Sequence, residues 1–173
     1  MLLFYLSDAK AQKYPYTFQA DVGALIGKGV IPGFSAQVFN GIKIESQKLE
    51  VGIVSGVDVY SMFSLIPLSA GIKWIPLQSK SISPFISFNA GYGLDWLQKD
   101  KEQTSYKGGG VFNPSVGIRI KTTGKAKVNL SAGYKQQQAT ISTSYLDNNG
   151  NPTTIITEKY KLGRLSACLG LSL

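Results

Sequence analysis

The residues of this sequence with the most chemical potential are charges that recur singly between apolar neighbours: Asp21, Lys43, Glu50, Asp58, Lys73, Asp95, Arg119, Lys135 and Arg164. Charges of both signs gathered in one confined space must pair or stay hydrated, because an isolated buried charge is costly. Such a set can form a plug of salt bridges and hydrogen bonds, or it can line a gated conduction path. Other chemistry is poorly supplied. Histidine is absent, which removes the commonest general base and the commonest metal ligand. Cys168 is the only cysteine, so no intrachain disulfide and no CxxC motif can form. No metal, no cofactor and no catalysis are expected. A serine–lysine pair is formally available, and nothing in the sequence singles one out.

Those charges sit on the minority face of eight segments with period-two hydrophobicity. The apolar sets are Tyr16, Phe18, Ala20, Val22, Ala24 and Ile26; then Phe34, Ala36, Val38, Ile42 and Ile44; then Leu49, Val51, Ile53, Val57 and Val59. The fourth and fifth are Ile66, Leu68, Ala70, Ile72 and Trp74, and Ile86, Phe88, Ala90, Tyr92, Leu94 and Trp96. The last three are Phe112, Val116, Ile118 and Ile120; Val128, Leu130, Ala132 and Tyr134; and Leu165, Ala167, Leu169, Leu171 and Leu173. Each segment runs about 10–13 residues, against about 5–6 for an ordinary soluble strand and about 9–11 for a tilted strand that crosses a bilayer. No apolar run approaches the ~20 residues of a transmembrane helix, so a membrane reading requires a closed barrel.

Volume decides which face is inside. An eight-stranded barrel is just wide enough to be filled by side chains. The polar face carries small residues, among them Gly23, Gly41, Gly71, Gly91, Gly117, Ser69, Ser87, Ser115 and Ser131, while the apolar face carries the bulk. The polar face is therefore the lumen. Tyr16 and Trp74 fall at one end of their strands, and Phe34, Trp96 and Phe112 at the other, as two interfacial aromatic girdles would. Strand direction puts Lys43, Glu50, Lys73 and Arg119 toward the turn end, Asp58, Asp95, Lys135 and Arg164 toward the loop end, and Asp21 near the middle.

The connections are asymmetric. Turns near 46–47, 76–83 and 122–126 are short or moderate, while 98–108 is a polar, charged loop. Residues 139–160 form a long hairpin around the Asp-Asn-Asn-Gly-Asn-Pro turn signal, its β-prone flanks continuing beyond the membrane edge. Residues 1–11 read as a shortened signal peptide with a small-x-small site at Ala9-Lys10-Ala11, leaving 12–173 as the barrel domain. The net charge is +8, but the basic residues are scattered singly, so nucleic acid is not an expected partner. A basic surface facing anionic lipid, or a plain excess of lysine, fits better.

The runs Ile66-Pro67-Leu68-Ser69-Ala70-Gly71-Ile72-Lys73 and Ser83-Pro84-Phe85-Ile86-Ser87-Phe88-Asn89-Ala90-Gly91-Tyr92-Gly93 resemble the fourth and fifth strands of the outer-membrane β-barrel domain family. Phe112-Asn113-Pro114-Ser115-Val116-Gly117-Ile118-Arg119 and the closing segment from Leu165 resemble its sixth and eighth strands. The resemblance is one of pattern. It implies an all-β, eight-stranded antiparallel up-and-down transmembrane β-barrel of the OmpA/OmpX type, in the outer membrane of a Gram-negative cell. It also implies membrane lipid, lipopolysaccharide and the barrel-assembly machinery as partners. Such barrels usually close on an aromatic residue; this chain closes on Leu173. The family carries no shared chemistry. The expected function is structural or interactive, with a protein partner met at 98–108 and 139–160. The alternatives are a narrow pore for ions or small solutes and a soluble, lipocalin-like barrel holding an apolar ligand.

Overall fold

The computed structural model describes residues 14–27, 32–60, 64–77, 80–95, 104–146 and 152–173. The segment read as a leader, residue Trp96 and the turn signal at 147–151 lie outside the described residues. Period-two alternation becomes strand throughout: β1 (Tyr16–Ile26), β2 (Gly33–Ile44), β3 (Leu49–Val59), β4 (Ser64–Trp74), β5 (Ile82–Leu94), β6 (Thr104–Lys107), β7 (Gly109–Lys121), β8 (Lys127–Leu146) and β9 (Pro152–Ser172). Each pairs antiparallel with its chain neighbour, except that β5 pairs with β7 and β6 with β8. The ring is closed by β9, which pairs with β8 on one edge and β1 on the other.

β6 and β7 share one place in the wall, so the barrel has eight staves. Both bond to β8, and the pairing slips by one residue between Lys107↔Thr140 and Val111↔Gln137, with the extra residue in the glycine run before Val111. This is a β-bulge. It corrects the reading of 98–108 as loop alone: residues 104–107 are strand. Four β-compatible residues gain pairing there because β8 runs 20 residues and offers a bare edge above the rim. The β8–β9 hairpin stays paired as far as Leu146↔Pro152. Residues 139–146 and 152–160, read as a long hairpin, are therefore the middle and outer strands of a small sheet that stands above the barrel.

The register fixes the shape. Stepping from Pro15 through Lys43, Glu50, Lys73, Ser87, Ser115, Gly133 and Ser166 returns to Leu25, ten residues further along the chain. With eight staves that stagger tilts the strands by roughly 40°. The apolar sets all face outward: Ile53 is 59% exposed and Leu169 52%. The opposite parity faces the lumen, where Glu50 is 1% exposed and Lys135 2%. This arrangement excludes the soluble barrel with an apolar interior.

Arginine placed on the outer wall should cost in proportion to depth. Ile53→Arg, midway along β3, is expected to lose about 2–4 kcal/mol, and Val59→Arg, at the rim of the same strand, about 0–1 kcal/mol. Urea unfolding in lipid vesicles measures both; equal losses would contradict the depth assignment.

Candidate functional site

The eight staves enclose a largely polar lumen, and most of the charges collect there in two layers. At the turn end, Glu50 of β3 takes a two-pronged hydrogen bond from Arg119 of β7, Nη1 to Oε1 at 2.6 Å and Nη2 to Oε2 at 2.9 Å. Such paired charge-assisted bonds are the strongest that side chains make. Arg119 also donates through Nε to Asn129 Oδ1 at 2.9 Å, and Asn129 donates to Ser172 Oγ at 3.0 Å. Lys73 of β4 lies 3.8 Å from Glu50 and donates to Gln19 Oε1. Glu50 is thus answered by two cations, and all three groups are buried.

Lys73 is also held by two rings. Its ammonium lies 5.2 Å from the centroid of Phe39 and 5.1 Å from that of Phe85, within cation–π reach of each face. These inward phenylalanines were missed by sequence reasoning, which assigned the bulk to the outer wall. The signal was present in parity, since Phe39 shares a face with Gln37 and Gly41, and Phe85 with Ser83 and Ser87. The glycines explain how the rings fit. A Cβ on Gly71 would come within 2.9 Å of Val54 and 3.2 Å of Phe39, and one on Gly117 within 2.5 Å of Phe85. The small residues of the lumen are the space these rings occupy.

The middle of the lumen is polar. Asp21 accepts two hydrogen bonds from Gln19 Nε2, at 2.7 and 2.8 Å. It borders a cavity of about 40 Å3 together with Ser87, Ser115, Ser131 and Cys168. Phe39, Val54 and Phe85 line it too; a partly polar cavity of that size has room for a few waters. Ser87 and Ser115 hydrogen-bond across its wall at 2.6 Å.

The second layer lies toward the loop end. Asp58 forms an ion pair with Lys135 and accepts from Ser35 Oγ at 2.6 Å, while Gln37 Nε2 donates to Ser35 at 3.0 Å. Above it Leu25, Tyr60, Leu65 and Ala139 form an apolar cap, against which Ile141, Tyr160 and Leu162 pack.

The fold does not join all nine charges. Lys43 lies at the turn-end mouth. Arg164 is the cross-strand partner of Lys135 and has no ion pair among the described residues; its buried Nη1 lacks a hydrogen-bond partner. Asp95 sits just past β5, half-buried, and likewise has no ion pair among them. On the outer wall Tyr16 and Trp74 stand at the turn end and Phe34 and Phe112 at the loop end, all exposed. The Tyr16 hydroxyl donates to Asn40 Oδ1 at 2.7 Å, which satisfies a polar group on the apolar wall. Tyr92 stands at the loop end of the outer wall as well and donates to the Gly108 carbonyl at 2.8 Å.

Known structures share this fold. The outer membrane protein AlkL, solved by solid-state NMR in lipid bilayers, superimposes with a TM-score of 0.56 at 11% identity, over 99% of this chain and 95% of that one. The outer membrane protein OprG from Pseudomonas aeruginosa superimposes with a TM-score of 0.64 at 9% identity, over 92% of this chain and 95% of that one. No protein-family model and no curated protein sequence matches the chain. The closed ring of eight staves, the apolar outer wall and these two likenesses define the class: the chain is an outer-membrane-type β-barrel.

The loop-end ion pair gives a test. Lys135→Met leaves Asp58 buried without its cation and should destabilise the barrel by about 3–5 kcal/mol. Adding Asp58→Leu should recover most of the loss. Unfolding free energies in lipid vesicles measure both; a double variant no better than the single one would show that the two groups do not act as a pair.

Proposed function

We propose that this protein is an integral outer-membrane barrel with a structural and interaction role. Its wall sits in lipid, and its raised hairpin meets a partner outside the cell. The observation that carries this reading is the filled lumen. A bidentate Glu50–Arg119 pair with Lys73 across the turn end, an Asp58–Lys135 pair toward the loop end and an apolar cap above it leave a central space of only about 40 Å3. No catalysis is assigned. Membrane lipid, lipopolysaccharide and the assembly machinery are the partners any such wall must meet. The partner specific to this protein belongs to residues 104–107, 139–146 and 152–160. There β-branched Thr and Ile are displayed on strands, with Ile155 64% exposed. A wet exposed sheet of this kind suits protein contact.

The narrow pore is the second reading, favoured by the polar lining of the central cavity and by the absence of an ion pair at Asp21 among the described residues. It requires the Glu50–Arg119–Lys73 layer to part. Planar-bilayer recording separates the two. The full chain is expected to leave the baseline silent; regular conductance steps carried by the wild-type protein would overturn the closed-lumen reading and establish the pore.

A further inference from the structure

The turn-end mouth holds more positive charge than the lumen network uses. A recess of about 140 Å3 opens there, bordered by Lys43, Arg119, Lys121 and Lys127 against Glu45 and Glu50. Glu50 is already engaged by Arg119 and Lys73. Lys43 of β2 and Lys127 of β8 therefore share the recess with one exposed carboxylate, Glu45. Lys43 stands beside Glu50 in the β2–β3 register, yet neither it nor Lys127 has an ion pair among the described residues. Like charges gathered around one recess repel, and an anion between them relieves the repulsion.

We propose that this mouth is a binding site for a phosphate group. Arg119, locked by Glu50 and Asn129, supplies a fixed floor. The lysines supply mobile point charges that can close on several oxygens of one anion, the usual way lysine binds phosphate. The tetrahedrally set oxygens of a phosphate can accept from several of these donors at once, which a single planar carboxylate does less well. The recess is many times larger than one water needs. Lys43 also borders a shallow recess on the rim with Tyr14, Pro15 and Ile44. A headgroup standing against the outer wall has a way in there. The phosphate can thus belong to a free ion or to an anionic phospholipid. The site stands whether or not the lumen conducts.

The test is an amide NMR titration of the full chain in phosphatidylcholine nanodiscs with inorganic phosphate, followed by nanodiscs containing phosphatidylglycerol without free phosphate. Saturable shifts around Lys43 and Lys127, and none at Lys159 and Lys161 on the raised hairpin, are expected in at least one arm. Shifts in the first arm identify a free-ion site; shifts confined to the second identify a headgroup site. The double variant K43Q/K127Q should weaken binding by about tenfold or more, while K159Q/K161Q leaves it unchanged. Lys43 and Lys127 are only partly buried, so the spectrum of the double variant should keep the dispersion of the folded barrel. No saturable shift in either arm, or binding that survives K43Q/K127Q, would overturn the proposal.

Discussion

Inside hydrocarbon every backbone N–H and C=O must find a partner within the protein, and a strand there must be paired along both edges. The remainder of this structure depends on that closure. β9 meets it by bonding to β8 and to β1, and the ten-residue stagger on returning to β1 sets how far the strands tilt and hence how wide the lumen is. A lumen of that width cannot be empty and cannot hold bulk on every inward position. Glycine and serine dominate it, and the few large inward side chains are seated where glycines give way to them, as Phe39 is against Gly41 and Gly71.

The same narrowness explains the charges. A carboxylate in such a space must be answered by cations at contact distance, and Glu50 is answered from two different strands. Replacing such groups with apolar ones is often neutral or stabilising in other proteins, so ion pairs alone do not account for their presence. Polar inward faces keep the alternating pattern unambiguous while the barrel closes. A one-residue slip would turn every charge toward lipid. The charges therefore contribute to register as well as to filling. At the mouth the balance is no longer kept, and the surplus there is what points to an outside anion.

How much of this was legible in the sequence follows from what each feature depends on. The eight apolar sets needed only local period-two alternation, and every described member of them faces outward. Inside and outside followed from comparing the sizes of Gly and Ser with those of Ile and Trp. Strand direction sorted Glu50, Lys73 and Arg119 to one end. That Arg119 rather than Lys43 grips Glu50 was not legible, although Lys43 is its cross-strand neighbour, because the choice depends on the stagger around the whole ring. Phe39 and Phe85 were hidden by the same volume argument that identified the lumen. β6 was hidden because four residues carry too little alternation, and its pairing is with β8, more than thirty residues along the chain.

The two faces of each strand meet different solvents, lipid outside and a filled, largely polar lumen within. Nuclear Overhauser contacts between lipid acyl chains and protein methyl groups read this directly on the unaltered chain. Acyl-chain contacts are expected at Ile53, Leu68, Val116 and Leu169, which are exposed on the outer wall, and none at Val54, Leu65 or Val111, which are buried within. Acyl contacts at Val54 with silence at its neighbour Ile53 would contradict it.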